Sequence, residues 1–486
     1  MTAAVMGVDS STQSCTVEIR ALDTGALLGT GRAGHPATHP PVSEQHPDAW
    51  WTALTEAAAA ARAAAGDVDV RAVSVGAQCH GLTITDDQDR VIRPAKLWND
   101  TTSGEQARRL VERYSRAWWA TEFGLVPSAA ITITKLLWLR ENEPDSFTRI
   151  HRLFVPHDWL TYRLCGRHVT DRSDASGTGY YAASQGRWRT DVLTEVLGER
   201  EWAAMVPAVL GPEEAAGTVT PEAAKALGIS PSALVAPGGG DQHLAAQGIG
   251  LGPGDVAYSL GTSGVVFTTT EDPVHDVSGV IDGVANTTGG YLPLVCTLNA
   301  AKVTDAAARL LAVDHETLSD LALAAPVRPD RPIMAAFMDG ERSPRLPHAR
   351  AMLAGITSDV TREELALSAY EGVVLGLARG QRTIEAAGVP VTGRAVVTGG
   401  GAQSPAYRQI IADVTGRETH TVDAPEATAR GAAVQAAAIA LGAGVAEVTD
   451  AWKPQVTTTT APEQDRSEVF DRYLRLADLQ LDGANY

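Results

Sequence analysis

Lysine and arginine are in short supply: 40 of them stand against 58 aspartates and glutamates, a formal charge of −18. They form no stripe or run. Nucleic acid and anionic membrane surfaces are bound through clustered basic residues, so both partner classes are excluded. Cysteine is also scarce. Cys15, Cys79, Cys165 and Cys296 are widely scattered with no C-x-x-C pair, which argues against a zinc site or disulfide framework and for reduced thiols. No segment reaches eighteen uninterrupted apolar residues, and the opening MTAAVMGVDSS lacks the basic and apolar regions of a signal peptide. The expectation is a soluble, cytoplasmic protein. G-x-x-x-x-G-K-[ST] is missing too, so any phosphate site is built without a P-loop.

What remains is globular: 486 residues, 44% hydrophobic and 20% charged. That length exceeds one ordinary core and predicts two domains with a cleft between them. Pro237 followed by Gly238, Gly239 and Gly240 marks the boundary, giving domains 1–237 and 238–486. An acidic chain can still hold a nucleotide, because backbone N–H groups and a divalent cation act at contact distance while net charge is screened over roughly 8–10 Å. Glycine-rich turns are therefore the places to search.

The opening predicts strands at 5–9, 16–22 and 26–33, then a helix over 46–65 with Trp50, Trp51 and Leu54 on one face and Pro47 in its first turn. A buried strand at 71–75 follows and runs into GAQCHG. The same grammar returns as a strand at 255–260, the turn Gly261-Thr262-Ser263-Gly264, and a strand at 265–270. Helices are expected at 103–114, 130–141 and 190–197. Further on, a strand at 395–398 leads into Gly399, Gly400 and Gly401 and a helix at 405–415, whose N-terminus offers unpaired N–H groups. Helices at 427–441 and 467–481 carry no chemical signal and read as scaffold.

Singly, each such turn is a polar hairpin or punctuation. Together, two hydroxyl-rich strand–turn–strand hairpins and one strand–GGG–helix unit suit a nucleotide held between two related domains. The motifs Asp9-Ser10-Ser11-Thr12, Gln78-Cys79-His80-Gly81, Trp98-Asn99-Asp100, Gly238-Gly239-Gly240-Asp241, Ser259 to Gly264, Gly340-Glu341-Arg342-Ser343-Pro344 and Gly399-Gly400-Gly401 occur in the order seen in the FGGY carbohydrate kinases. The chain resembles that family nearly end to end. Its Q-x-H-G, W-N-D and G-G-G-D set is similar to the branch acting on D-xylulose rather than the branch acting on glycerol.

The resemblance implies an α/β fold of two actin-like ATPase (ribonuclease H-like) domains with a nucleotide and sugar cleft between them. It also implies ATP and Mg²⁺, and phosphoryl transfer to the 5-hydroxyl of D-xylulose. Carried over by position, Asp9 orients Mg²⁺ through water; Ser11 and Thr12 form the first phosphate turn; Gly261, Thr262 and Ser263 form the second; Gly399, Gly400 and Gly401 underlie adenosine. Cys79 and His80 contact the sugar, with Gln78 and Asp100 as neighbours, and Asp241 is both a sugar contact and the catalytic base. The partners implied are the sugar and ATP, with a homodimer as an allowed assembly.

Two departures stand out. Ser11 replaces a commoner glycine, which fits only if its φ stays negative. Ala77-Gln78-Cys79 differs from the usual sugar loop and keeps ribulose, another pentulose or polyol, and a deoxysugar open as acceptors. A non-kinase actin-like ATPase would share the phosphate turns but has no use for the sugar loop or for Asp241. Independently of the family, Asp241 suits a general base, since a sugar hydroxyl needs a carboxylate to align it and take its proton. Its plain alternative is a helix cap. His80 could equally be a core histidine, Cys79 a small buried hydrophobe, and Asp100 the cap of the helix near 103. Trp98 reads as packing, Arg342 as a surface charge or a brace, and the pairs Asp171/Asp174 and Asp86/Asp87 as turns.

Overall fold

The computed structural model describes residues 1–482; positions 483–486 of the expected second domain lie outside them. Two mixed sheets, each of seven strands, form the centre of the molecule. In the first, Thr2–Ser10 pairs antiparallel with Ser14–Ala21, which pairs antiparallel with Leu27–Gly34. On its other side Thr2–Ser10 runs parallel to Val68–Ala77. The second sheet repeats this: Val256–Leu260 forms a hairpin with Gly264–Thr268 and runs parallel to Ala395–Thr398. The two-unit α/β architecture expected from the sequence is present.

Side-chain alternation explains how the first sheet is covered. Ala4, Met6 and Val8 pack with Trp50 and Leu54 of the helix Pro47–Ala65, whereas Val5 on the opposite face packs with Ala433, Val434 and Ala437 of the helix Ala427–Leu441. Period two sends successive residues to opposite faces, so a strand covered on both sides is apolar throughout. The helix Pro47–Ala65 begins as expected, with His46 as its cap accepting from Asp48 N and Pro47 at its first position. Trp50 and Leu54 are fully buried; Trp51 is only half-buried. It lies under the Arg163 guanidinium, 4.7 Å from the ring centre.

The helix Ala427–Leu441, late in the chain, lies against the sheet that begins it. Small residues make this possible. A Cβ on Gly7 would stand 1.9 Å from Ala429 O, one on Gly431 1.8 Å from Leu244 O, and one on Gly248 1.9 Å from Ala427 O. Helix 427–441 thus touches the first strand and crosses the helix Asp241–Gly248 with backbone against backbone. The scaffold helix ties the second half of the chain to the first sheet. The longest helix, Arg362–Ala386, was not anticipated, although Thr361 and Glu364 form a capping box at its start. Among the described residues no single helix is long and apolar enough to cross a membrane.

Substitution of Gly431 by Ala tests the crossing. The clash is with backbone, so the helices must part, and overpacking of this kind costs about 1–3 kcal/mol. A lower thermal midpoint by circular dichroism is the expected outcome; an unchanged midpoint would show that the crossing yields freely.

Candidate active site

Strand register brings distant residues to one level. Asp9 pairs with Gly76 and Ser10 with Ala77, while the short parallel strand Gly239–Gly240 pairs with the same Gly76 and Ala77. The chain therefore leaves the carboxyl ends of three adjacent strands at Ser11, Gln78 and Asp241, where ligands gather in open α/β sheets. Asp241 opens the helix Asp241–Gly248; its Oδ1 accepts from Gln242 N at 2.7 Å and from the Cys79 thiol at 3.7 Å. Burial, with Asp174 nearby, raises its carboxyl to about 6. Asp241 lines a cavity of about 160 Å³ together with Ser11, Thr12, Cys79 and His80. The opposite wall comes from the second half of the chain, with Ser263, Asp282, Cys296 and Arg342.

His80 adopts the left-handed region, φ 64°, which is uncommon without glycine and persists only when its surroundings impose it. Here they do. Thr132 Oγ1 and Lys135 Nζ donate to His80 O at 3.0 and 3.2 Å, and the ring Nδ1 sits 2.9 Å from Gly177 O. Burial depresses the imidazole to about 3, so the ring is neutral. A Cβ at Gly177 would meet that ring at 2.6 Å.

The first turn keeps Ser11 out of the positive-φ region, as its serine requires. Thr12 Oγ1 accepts from Trp98 Nε1 at 2.9 Å and donates to Gln78 Oε1 at 3.2 Å. Gln78 is thus a support for Thr12 and not part of the cavity wall. Asp100 stands outside the cavity as well. Its oxygens accept from Ser43 N, Thr102 N and Lys96 Nζ at 2.9, 3.0 and 3.3 Å, which binds a buried loop; the helix Gly104–Tyr114 has Ser103 at its cap position, and Asp100 does not cap it. The second turn is closed by Gly261 N donating to Ser263 O, and the carbonyls of Gly261 and Thr262 accept from Ala301 N and Ala300 N. Gly399 has φ 81°, and a Cβ there would lie 2.7 Å from Leu260 O. Gly400 faces open space. With Gly401, Ser404 and Tyr370 it lines a separate cavity of about 610 Å³.

Asp9 has a buried Oδ1 with no hydrogen-bond partner among the described residues. Burial, then Asp241 and Glu426, hold its carboxyl well above the usual range. An acceptor left unmet beside like charge is the environment of a cation site. No group of three or more His, Cys, Asp or Glu among the described residues could hold a metal alone. One carboxylate suits a magnesium ion that keeps waters and phosphate oxygens as its other ligands.

Some residues read otherwise from sequence take part in the site, and His157 and Gln435 join them. Trp98, read as packing, lines the cavity. Arg342 donates to Asp282 Oδ2 at 2.7 Å, so it braces the wall and is no solvated charge. Asp171 does cap a turn, accepting from Ser173 N and Asp174 N, but Asp174 Oδ2 lies 2.8 Å from His157 Nδ1. His157 is fully buried; although burial alone would lower it, Asp158, Asp174 and Asp171 raise it to about 9. This ion cluster lies beneath the glycine turn, where a Cβ on Gly238 would reach 2.7 Å from His157 Cδ2. On the other side Gln435 accepts from Gly238 N at 2.9 Å and from Ser74 Oγ at 2.6 Å, and donates to Gly238 O at 3.1 Å. A single glutamine in an alanine-rich helix was the one available signal.

Residues 4–248 match the model of the N-terminal domain of the FGGY family of carbohydrate kinases, and residues 256–440 match that of its C-terminal domain. A xylulose kinase of Streptomyces coelicolor is 38% identical over 466 residues, covering 96% of this chain and 93% of its own. The crystal structure of xylulose kinase from Bifidobacterium adolescentis superposes with a TM-score of 0.86 at 36% identity, covering 98% of this chain and 99% of that one. Plasmodium falciparum glycerol kinase with ADP has the same fold, with a TM-score of 0.86 at 17% identity, covering 100% and 99% of the two chains.

Burial beside Asp174, Asp241 and Asp171 pushes the Cys79 thiol upward. Each unit of such a rise removes about nine-tenths of the reactive thiolate. Iodoacetamide at neutral pH is therefore expected to label Cys79 at least about tenfold more slowly than a cysteine peptide; equally fast labelling, read by mass spectrometry, would contradict this environment.

Proposed function

Because the chain belongs to the FGGY family of carbohydrate kinases, we propose that it transfers the γ-phosphoryl group of ATP to the 5-hydroxyl of D-xylulose, with Asp241 as general base. The observation carrying this reading is Asp241 itself: a carboxylate at the level of both the first phosphate turn and the Cys79–His80 loop, on the wall of a cavity shared by the two halves of the chain. Xylulose as acceptor is supported by the relatives of that name.

Of the expected domains 1–237 and 238–486, the first supplies the sugar loop and first phosphate turn and the second the second phosphate turn and adenosine loop; Asp241, assigned to the second by that boundary, follows a strand of the first sheet within the residues matched to the N-terminal domain model. Cys79 and His80 border the sugar, His80 through a neutral ring locked by its strained backbone. Asp241 aligns the hydroxyl and takes its proton as the bond to phosphorus forms, which a loose phosphoryl transfer requires only late. Backbone N–H groups and hydroxyls of Ser11, Thr12, Gly261, Thr262 and Ser263 receive phosphate oxygens, and Gly399, Gly400 and Gly401 let adenosine approach the chain. Asp9 would hold Mg²⁺ through water, the ion supplying charge neutralisation on the phosphates. Walls drawn from both halves exclude water that would otherwise compete as acceptor.

In a coupled ADP-release assay over ketoses and polyols, D-xylulose should be the fastest acceptor; a clear preference for ribulose or glycerol would reassign the sugar. Asp241→Asn should lose about 10²–10⁴ in kcat with binding of sugar and Mg·ATP largely kept, and a kcat within about threefold of wild type would reduce Asp241 to a helix cap. Only the carboxylate accepts a proton, so kcat/KM should rise with pH through about 6 in the wild type. That limb should be missing from the asparagine variant. Asp9→Asn should instead weaken use of Mg·ATP and recover in part with added Mg²⁺; a purely sugar-dependent defect would remove Asp9 from the nucleotide site.

A further inference from the structure

The helix that begins at Asp241 brings two further polar residues, Gln242 and His243, to the same cavity. His243 is 3% exposed and lines the cavity with Asp241, Cys79 and Trp98. Neither of its ring nitrogens has a hydrogen-bond partner among the described residues. A buried donor and a buried acceptor both left unmet are costly, and native proteins rarely leave them so unless a ligand or water completes them. The ring is also confined, since a Cβ on Gly240 would lie 2.5 Å from His243 Nδ1 and 2.4 Å from Cys79 Sγ. Glycine at 240 is thus what lets imidazole and thiol close on the turn beside the base.

We propose that His243 binds the acceptor sugar directly, its neutral imidazole offering one donor and one acceptor to sugar oxygens, and that it discriminates among sugars by where a hydroxyl stands. A neutral imidazole has one N–H and one bare nitrogen, and a sugar hydroxyl both gives and accepts a hydrogen bond. Burial lowers the ring to about 4, with Asp174 opposing and His157 adding to that shift, so it carries no charge at neutral pH. A site that hydrogen-bonds a hydroxyl rejects analogues lacking it far more strongly than an apolar pocket does. The inference rests on the reading of this cavity as the sugar site.

The test compares wild type with His243→Leu and His243→Gln in steady-state kinetics, and titrates D-xylulose and the other ketoses against the fluorescence of Trp98. Leucine should lower kcat/KM for the preferred sugar about 10- to 100-fold while KM for ATP stays within about twofold. Glutamine, which keeps a donor and an acceptor, should recover part of the loss. In ¹⁵N spectra of the wild type, the sugar should shift the His243 imidazole resonances. If leucine leaves sugar affinity and kcat/KM within about twofold, or if the imidazole resonances do not respond to a sugar that binds, the inference fails and His243 is completed by trapped water. A wild type that responds to none of the sugars overturns the sugar-site reading itself, a result separate from a wild type that responds equally with and without His243.

Discussion

The site hangs on two glycines in a two-residue strand. Gly239 and Gly240 pair in parallel with Gly76 and Ala77 at the end of the central strand of the first sheet, and that pairing alone delivers Asp241 to Cys79. Side chains there would collide with the groups that hold the turn: one at 239 with Thr287 Cγ2 at 2.7 Å, one at 240 with Cys79 and His243. Buried hydrogen bonds then secure it from below and behind. Gly240 N donates to Ser173 Oγ, and Gln435 satisfies both backbone groups of Gly238. A carboxylate placed this way does not depend on a flexible loop, and such preorganisation is what the proposed base would need.

The helix Ala427–Leu441 gives that placement a mechanical partner. It presses on Gly7 of the first strand, crosses the base-bearing helix at Gly248 and Gly431, and carries Gln435 to the glycine turn. Thr428 Oγ1 donates to Asp241 O at 3.1 Å from the same helix. The second sheet, meanwhile, contributes Ser263 and the Arg342–Asp282 pair to the far wall.

What could be read from the sequence was what is local. Hairpins with hydroxyl-rich turns, strands ending in glycines and the proline-led helix all announce themselves within a few residues, and the structure has them where they were expected. Motif adjacency proved a weaker guide to contact. Gln78 and Asp100 belong to the motifs of the sugar loop, yet Gln78 supports Thr12 and Asp100 binds Ser43, Thr102 and Lys96. What the sequence does not announce is pairing: Asp282 as the partner that makes Arg342 a brace, His157 with Asp174 across a helix boundary, and Gln435 with Ser74 and Gly238. Nothing in a single sequence pairs them. The helix Arg362–Ala386 escaped for another reason, since it is buried along much of its length and includes Gly372, Gly376 and Gly380. That blurs the apolar stripe by which helices are recognised.

Charge at the site explains why so acidic a chain suits an anionic substrate. Burial raises the carboxyls of both Asp9 and Asp241, with the charge of Asp241 adding to the first and that of Asp174 to the second. Like charges crowd the pocket, and Asp9 Oδ1 has no donor to meet it among the described residues. Phosphate by itself would deepen that imbalance. On the proposed reading, phosphate bound together with a divalent cation would reverse it, with Asp9 facing the cation and neutral N–H groups of the turns taking the remaining oxygens. The same change would lower the cost of keeping Asp241 ionised, so that the proposed base would be held most firmly as a carboxylate with nucleotide bound. On the proposed reading lysine is dispensable in such a site, because a sequence poor in basic residues and without a P-loop would grip phosphate through backbone.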